Sequence, residues 1–338
     1  MRAVTYRETG PSSVLRLGDR EVPEPGPGEV RVRVVRSGVN PTDWKFRAGM
    51  VAGHDEVTPG QDGAGVVDAV GPGVTSFAPG DRVWLVLAQH GRPHGTAADF
   101  TVQPVERVVA LPDGASFDLG ASLGVPAVTA HRALTAHEDG PARLAPGALA
   151  GRTVLVAGGA GAVGNAAIQL ARWAGATVVT TVSSDEKGAL AVAAGAHHTV
   201  NYTVGDTARE VRAFAPDGVD IAVEVAPAQN VAVDLDLVKV HGLVSIYANN
   251  GGDELTMPLR AAFGKNLRFQ FLILYTLHEH LLRAAVDDVS AAVAAGALRV
   301  GEDAGVPLHH YPLEQAAAAH DAVEGGAVGK VLLDVSDA

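Results

Sequence analysis

The 338-residue chain contains no cysteine. This single absence excludes disulfides, zinc sites built from thiolates, iron–sulfur clusters and cysteine nucleophiles. Positive charge is also scarce, because 26 Lys and Arg residues stand against 38 Asp and Glu residues and leave a net charge of −12. A chain with this charge has no electrostatic reason to bind a phosphate backbone or an anionic membrane surface. Nucleic acid is therefore not expected as a partner.

Long apolar runs are missing as well. No stretch of about 18 apolar residues occurs, and the first ten residues, MRAVTYRETG, lack the apolar segment of a secretory signal. Neither a membrane span nor export is expected, so the expected location is the cytoplasm. Apolar residues nonetheless make up 47% of the chain, which is enough for large cores. The length favours two domains.

Three regions of the chain differ in composition. Residues 1–126 are rich in Gly, Pro and Val and hold alternating runs such as EVRVRVV (29–35), which predict a β-rich domain. Residues 127–273 alternate apolar strands with Ala-rich helical segments, which predicts a doubly wound parallel α/β sheet. The predicted strands are 154–157, 178–182, 199–202, 221–225, 243–246 and 269–273. Residues 274–338 are too few for their own core, so they are expected to pack back on the first domain.

A glycine-rich turn follows the first of these strands. Gly159, Gly161 and Gly164 in VLVAGGAGAVGN satisfy the GxGxxG pattern between a strand and a helix. In this setting the first glycine permits a tight turn, the second lets the backbone approach a pyrophosphate, and the third lets helix and strand pack closely. Free N–H groups at the helix start, near Ala162 and Val163, favour phosphate. The turn predicts a dinucleotide site, and a purely structural turn is the alternative.

The end of the second predicted strand bears on which dinucleotide binds. An NAD site needs an acid there for the ribose 2′-hydroxyl, but the sequence has Val182 followed by two serines. Hydroxyl groups and one ammonium could instead surround the 2′-phosphate of NADPH. The residues expected to do so are Ser183, Ser184, Lys187 and Tyr202. The alternative is a capping box of Ser183 with Glu186, which would explain the serine without a ligand.

Several motifs together resemble a known family. They are SGVNPTDW (37–44), PGQDGAGVVDAVGPGVTSFAPGDRVW (59–84), the AGGAGAVG turn and the closing GKVLLDV. In this order they resemble the medium-chain dehydrogenase/reductase superfamily, specifically its zinc-free quinone oxidoreductase branch. The resemblance implies a GroES-like catalytic domain built from both ends of the chain, a Rossmann domain between them, and catalysis in the cleft.

The zinc-dependent relatives in this superfamily offer the main rival function. Their Cys, His and Cys ligands correspond here to Asn40, Gln61 and the region of Val128 and Thr129, none of which is a good zinc ligand. We therefore expect no metal. Without a Lewis acid, quinones and α,β-unsaturated carbonyls are the expected acceptors, because conjugation spreads the developing negative charge and a modest hydrogen-bond donor suffices.

The resemblance also implies roles for single residues. Asn40 is expected nearest the nicotinamide and oriented by Asp43, with Trp44 and Phe46 in an aromatic substrate wall. A simple Asn–Pro turn and ordinary core positions for the two aromatics are the alternatives, and Thr129 is alternatively a helix cap. The expected catalytic residues are Asn40, Asp43, Trp44, Phe46 and Gln61. The further expected cofactor contacts are Asn40, Pro41, Thr129, Ala226, Ile246, Tyr247, Phe271, Leu272 and Lys330.

The last predicted strand lies in a long apolar segment, LRFQFLILYT. An exposed strand of this kind invites pairing with a second copy, so we expect a homodimer through that edge, and burial by the chain's own tail is the alternative. The expected function is zinc-independent hydride transfer from NADPH to a quinone or related α,β-unsaturated carbonyl. An enoyl reductase of a biosynthetic pathway and a non-catalytic NADP-binding sensor or structural protein remain alternatives.

Overall fold

The structure is a computed structural model that describes residues 1–50 and 54–337. The strands in chain order are β1 (Arg2–Thr5), β2 (Arg16–Asp19), β3 (Glu29–Val39), β4 (Asp62–Val70), β5 (Arg82–Leu85), β6 (Phe100–Pro104), β7 (Val108–Ala110), β8 (Thr153–Ala157), β9 (Thr177–Val182), β10 (His198–Asn201), β11 (Val219–Glu224), β12 (Val238–Ile246), β13 (Arg268–Phe271), β14 (Leu308–Pro312) and β15 (Lys330–Asp334). The α-helices are α1 (Pro41–Lys45), α2 (Phe117–Gly120), α3 (Gly124–Thr135), α4 (Ala162–Trp173), α5 (Asp185–Ala193), α6 (Thr207–Phe214), α7 (Pro227–Leu237), α8 (Leu259–Gly264), α9 (Glu279–Ala294) and α10 (Ala316–Glu324). Short 3₁₀ helices cover Ser12–Val14, Val105–Arg107, Leu274–Thr276, Glu302–Ala304 and Leu313–Gln315, and a π turn covers Phe46–Met50.

Two compact units make up the chain. The first combines Met1–Val125 with Pro307–Ala338, and the second is Pro126–Val306. The second crossing between units therefore lies at Pro307, whereas the sequence placed it after residue 273. The reason is α9, which follows the last parallel strand and is fixed to the second unit through Asp288. That carboxylate accepts hydrogen bonds from the side chains of His131 and Arg143 and from the backbone N–H of Leu144.

The second unit contains a six-stranded sheet in the order β10-β9-β8-β11-β12-β13, and all its neighbouring strands are parallel. Helices connect successive strands, as parallel pairing requires. The predicted doubly wound sheet is confirmed, and each predicted strand overlaps an observed one. The strand order reverses at β8, so the glycine turn after β8 lies at the point where such sheets bind ligands.

The first unit contains a seven-stranded sheet in the order β14-β15-β3-β4-β5-β7, with β6 also paired to β3, and a separate pair of β1 and β2. The C-terminal strand β15 runs antiparallel to β3, with Val331 opposite Val39, so both ends of the chain build one sheet. A shared core of Val4, Val34, Leu313 and Leu333 buries this junction. Among the described residues, no helix combines the length and the apolar character needed to cross a membrane.

Candidate active site

Asn40 lies where β3 ends and α1 begins, and only 2% of its surface is exposed. Its backbone is extended, and Pro41 begins the helix because proline at that position sacrifices no helical hydrogen bond. The Asn40 Nδ2 donates to Asp62 Oδ2 at 2.8 Å, and Asn40 Oδ1 accepts from the Lys330 ammonium at 2.7 Å. Its backbone N–H donates to Asp43 Oδ2 at 2.7 Å. Asp62 and Lys330 therefore orient the amide, whereas the sequence predicted that Asp43 would.

Strand register explains why these residues meet. β15 pairs with β3 so that Val331 faces Val39, and one step further along this antiparallel pair brings Lys330 opposite Asn40. β4 pairs with the other side of β3, and Gly38 faces Asp62 there. Three strands thus carry an amide, an ammonium and a carboxylate to the same end of β3.

Gln61 is fully buried beside this group. Its backbone N–H donates to Asp43 Oδ1 at 3.1 Å, and its Nε2 donates to Gln89 Oε1 at 2.9 Å. Within the described chain, Gln61 Oε1 is buried and lacks a hydrogen-bond partner. Asp43 therefore holds two backbone segments together, and the structure gathers four predicted residues, Asn40, Asp43, Gln61 and Lys330, into one buried cluster.

The cluster contains one buried ammonium and two buried carboxyl groups. Lys330 Nζ lies 3.3 Å from Asp62 Oδ2, and both side chains are at most 2% exposed. Burial lowers the pKa of the Lys330 ammonium, while the charges of Asp62 and Asp43 oppose that shift. Burial raises the pKa of Asp62, and Lys330 opposes that rise. Burial, with the neighbouring charge of Asp62, raises the pKa of Asp43 to about 7.

Asp62 is a member of this buried cluster that the sequence did not predict. It begins β4 and is fully buried, and its Oδ1 accepts the backbone N–H of Val125 at 2.8 Å. A signal was present in the sequence, because the acid stands directly before the apolar run GAGVV of a predicted buried strand. A buried carboxylate needs a partner, and that requirement could have directed attention to a cation elsewhere in the chain.

The two aromatic residues of α1 and its extension differ in exposure. Phe46 is 5% exposed, which matches the core alternative. Trp44 is half-buried, and the Lys45 ammonium lies 5.8 Å from its ring centroid. Pro41 is exposed at the helix start. Of these two aromatic side chains, only Trp44 has substantial exposed surface that a ligand could contact.

In the glycine turn after β8, the individual glycines have roles that differ in part from the predicted ones. Gly158 has the positive φ of +69°, so it makes the tight turn that the sequence assigned to Gly159. A Cβ on Gly159 would lie 2.1 Å from Thr180 Oγ1, and one on Gly164 would lie 2.4 Å from the carbonyl oxygen of Gly158. Gly161 is exposed at the N-cap of α4, and its Cβ would meet only ordinary contact at 3.4 Å. Open space at Gly161 and the exposed start of α4 fit a pyrophosphate.

Ser184, and not Ser183, caps helix α5. The Ser184 Oγ accepts the backbone N–H of Lys187 at 3.3 Å, so the capping-box alternative for Ser183 does not form. Ser183 Oγ instead accepts from Lys187 Nζ at 2.8 Å. Tyr202 is 54% exposed just beyond β10, and its backbone N–H donates to the carbonyl of Val182. A hydroxyl, an ammonium and an exposed phenol therefore lie near the end of β9.

The other predicted cofactor residues of the second unit follow the carboxyl ends of its strands. Ala226 follows β11, Ile246 and Tyr247 lie at the end of β12, and Phe271 and Leu272 lie at the end of β13. Because parallel strands end at one edge of a sheet, these residues share that edge with the glycine turn. Thr129 is buried in the middle of α3, so it is not a helix cap.

A second missed feature is a pair of buried carboxyl groups. Glu224 ends β11, and its carboxylate accepts from the backbone N–H of Ala226 and from Asn230 Nδ2. Asp234 on α7 is hydrogen-bonded to Glu224, and burial together with the charge of Glu224 raises the pKa of Asp234 well above its usual value. Burial, with a further contribution from the charge of Glu224, raises the pKa of Tyr247. The pair fixes the turn at Ala226.

Comparison with known proteins decides the family. An alcohol dehydrogenase GroES-like domain matches residues 26–113, and a zinc-binding dehydrogenase domain matches residues 162–291. Quinone oxidoreductase from Rattus norvegicus is 32% identical over 341 residues, which cover 98% of this chain and 97% of that protein. The chain belongs to the medium-chain dehydrogenase/reductase superfamily, in its quinone oxidoreductase branch. As a member of this branch the protein is an oxidoreductase.

Three further proteins are similar to this chain. A 2-haloacrylate reductase from Burkholderia sp is 31% identical over 348 residues, covering 98% of this chain and 97% of that protein. A mycobacterial protein solved in complex with NADPH superposes with a TM-score of 0.82 at 29% identity, over 98% of this chain and 99% of that one. A Pseudomonas syringae quinone oxidoreductase gives a TM-score of 0.82 at 28% identity, with the same coverage of both chains.

The residues at the zinc-ligand positions of the superfamily do not fit zinc. Two of these positions hold the amides of Asn40 and Gln61, and the Lys330 ammonium lies 2.7 Å from Asn40 Oδ1. Amides are poor zinc ligands, and a fixed ammonium repels a divalent cation. Within residues 1–50 and 54–337, no group of three or more His, Asp or Glu side chains is arranged to hold a metal.

Proposed function

We propose that this member of the quinone oxidoreductase branch transfers a hydride from NADPH to a quinone or another α,β-unsaturated carbonyl, without zinc. The observation that carries the proposal is the buried amide of Asn40. It stands at a position where zinc-dependent relatives place a metal ligand, and it is fixed between Asp62 and Lys330. A hydrogen-bond donor therefore occupies the place of a Lewis acid.

The second unit has residues that fit NADPH. The backbone at Gly161 and the start of α4 are open to a pyrophosphate, and Lys187 beside Ser183 offers one positive charge and a hydroxyl to a 2′-phosphate. Val182 supplies no carboxylate to bind a ribose 2′-hydroxyl. NADPH supplies a hydride from C4 of its nicotinamide when bound. The mycobacterial relative solved with NADPH supports this choice.

An amide donor suits a conjugated acceptor. Hydride addition to the β-carbon of an enone pushes an electron pair onto the carbonyl oxygen, and a proton from solvent then completes the reduction. A donor such as the second N–H of Asn40 Nδ2 stabilises that oxygen as its charge develops. Two relatives are named for acceptors of this kind, a quinone and a 2-haloacrylate, whereas an unconjugated ketone would need a stronger electrophile.

A panel of quinones, enones, aldehydes and alcohols, assayed with NADPH and with NADH by nicotinamide absorbance, tests the proposal. Turnover of quinones or enones with NADPH is expected, with little activity on simple aldehydes and alcohols. Asn40→Ala should lower turnover by about ten- to a thousandfold, as expected when an oriented donor is lost. NADPH binding without turnover of any acceptor would favour the non-catalytic alternative.

Zinc independence has a separate test. Elemental analysis of the purified protein should find zinc below about a tenth of an equivalent, because the described residues provide no four-ligand set. Dialysis against a chelator should leave turnover unchanged. Stoichiometric zinc whose removal abolishes turnover would contradict this part of the proposal.

A further inference from the structure

We infer that Lys330 and Asp62 are positioning residues that clamp the Asn40 amide in one orientation, so that one N–H of its Nδ2 stays available to the acceptor oxygen. The inference rests on the proposed function and deepens it. It also changes the role of Lys330, which the family resemblance assigned to the cofactor. Here Lys330 acts through Asn40.

The chemistry of the two partners selects the orientation. The Lys330 ammonium has only donors, so it must face the amide oxygen, and the Asp62 carboxylate has only acceptors, so it must face the amide nitrogen. The observed bonds, 2.7 Å to Oδ1 and 2.8 Å from Nδ2, obey both requirements. A flipped amide would place nitrogen against ammonium and oxygen against carboxylate. Both charges therefore oppose the flip.

Neighbouring residues also fix the positions of Asp62 and Lys330. Asp62 Oδ1 accepts the backbone N–H of Val125, and a Cβ on Gly124 would lie 2.2 Å from that oxygen. The end of the Lys330 side chain passes Gly38, where a Cβ would lie 3.0 Å from Lys330 Nζ. Glycine at both positions makes room for the charged groups. The surrounding backbone thus fixes the positions of both side chains relative to Asn40.

One N–H group of the Asn40 amide forms no hydrogen bond with the described residues. Its Oδ1 is taken by Lys330, and one N–H of Nδ2 is taken by Asp62. An amide nitrogen carries two N–H groups, and the second has no protein partner among the bonds formed by the described residues. Lys330 Nζ, in contrast, already donates to Asn40 Oδ1 and Asp62 Oδ2, so two of its three N–H groups are occupied by the clamp.

Three variants separate orientation of Asn40 from mere stability. Lys330→Met and Asp62→Asn each leave a buried charge without its partner and should lower the melting temperature. The double variant Lys330→Met/Asp62→Asn removes both charges and should recover much of that loss. If the clamp positions Asn40, all three should lose about ten- to a hundredfold in kcat. NADPH affinity, measured by fluorescence titration, should change by less than about twofold in the double variant.

A matched control comes from another lysine–aspartate pair. Lys239 Nζ lies 2.9 Å from Asp220 Oδ2 in the second unit. Lys239→Met should leave kcat within about twofold of the wild type.

Recovery of kcat together with the melting temperature in the double variant would show a structural role only and overturn the inference. Weakened NADPH affinity with an intact kcat in Lys330→Met would show that Lys330 contacts the cofactor and would overturn the inference. A wild type inactive on every acceptor would instead overturn the proposed function and the inference with it.

Discussion

The four glycines around the turn after β8 have different physical reasons to be glycine. Gly158 needs its positive φ, and Gly159 and Gly164 lack room for a Cβ. Gly161 alone has normal dihedral angles and free space around it, so nothing inside the protein requires glycine there. Gly161 therefore leaves open space beside the backbone at the start of α4.

Gly161→Val should abolish NADPH binding and leave the fold intact, because the new side chain would project where a pyrophosphate approaches the backbone. Gly164→Val is the matched control: its Cβ would lie 2.4 Å from the carbonyl oxygen of Gly158, so it should unfold the second unit or lower its melting temperature sharply. Circular dichroism and NADPH titration distinguish the two. Unchanged NADPH affinity in Gly161→Val would show that the pyrophosphate binds elsewhere.

Lys187 should determine the preference for NADPH over NADH. A charge-assisted hydrogen bond contributes about 1.5 to 3 kcal/mol, so Lys187→Ala should weaken NADPH binding by about ten- to a hundredfold and hardly affect NADH. Arg283→Ala, an exposed change on α9, is the control. Calorimetric titration with both nucleotides provides the measurement. Equal loss for both nucleotides would place Lys187 away from the 2′-phosphate.

The reverse change is best made at Ser183. Val182 is 3% exposed, so an acid at that position would be buried, whereas Ser183 Oγ already lies 2.8 Å from Lys187 Nζ. Ser183→Asp should neutralise Lys187 and repel the 2′-phosphate, and thereby favour NADH. A variant that still prefers NADPH would argue against this placement of the phosphate.

At the scale of elements, β11 and α7 are joined by two carboxyl groups. Asp234 is 2% exposed and hydrogen-bonded to Glu224, and burial together with the charge of Glu224 raises the pKa of Asp234 well above its usual value. Among the described residues, Asp234 Oδ2 is buried without a hydrogen-bond partner. This contact links the end of a central strand to the following helix. It depends on one proton, because two buried carboxylates in contact repel each other.

Protein stability should therefore fall with rising pH at this contact. The pKa of Asp234 is raised in the folded state, so folding keeps a proton that the unfolded chain releases, and stability is lost as pH rises above the ordinary aspartate range. Asp234→Asn should be more stable than the wild type at neutral and alkaline pH, and the difference should shrink near pH 4 or below. Denaturant unfolding across pH measures it.

Asp236→Asn is the control for this experiment. Asp236 is exposed and paired with Arg212, and that guanidinium lowers its pKa. Its replacement should give a small loss of stability above the ordinary aspartate pKa, opposite in sign to the change at Asp234. A pH-independent effect of Asp234→Asn would mean that the pair does not share a proton.

At the scale of the whole molecule, the edge strand β13 remains the feature that points to assembly. Phe271 is 61% exposed and Ile273 is 51% exposed, and nearby α8 exposes Leu259 and Phe263. β13 is an edge strand of the sheet that the described residues form, and an edge strand presents backbone groups that can pair with another strand. The segment that follows it leaves both side chains exposed, contrary to the alternative of burial by the tail.

We predict a homodimer through this edge. Ile273→Lys should convert the dimer to monomer, because a charge in the segment directly after edge strand β13 opposes pairing of that edge with a second copy. Val192→Lys introduces the same charge at a residue of α5 that is 56% exposed, and it should leave the assembly unchanged. Sedimentation equilibrium gives the masses. A wild type with the mass of one chain, or a dimer that survives Ile273→Lys, would refute this edge as the interface.

Local sequence determined most of the second unit. Strands of four to nine residues alternate with helices there, and each glycine of the turn is close in sequence to the strand and helix it joins. Alternating βαβ order requires parallel pairing, so the doubly wound sheet follows from the pattern alone. The serines and lysine after β9 were found in the same way, because every partner lies within a few residues.

Tertiary structure alone decided the cluster around Asn40. Lys330 lies 290 residues from Asn40 in the chain, and only the register of β15 against β3 brings their side chains together. The same holds for α9, whose attachment to the second unit depends on Asp288 meeting His131 and Arg143. A local pattern tells which side chains are apolar. It does not tell which buried charge will neutralise which, because that depends on distance in space.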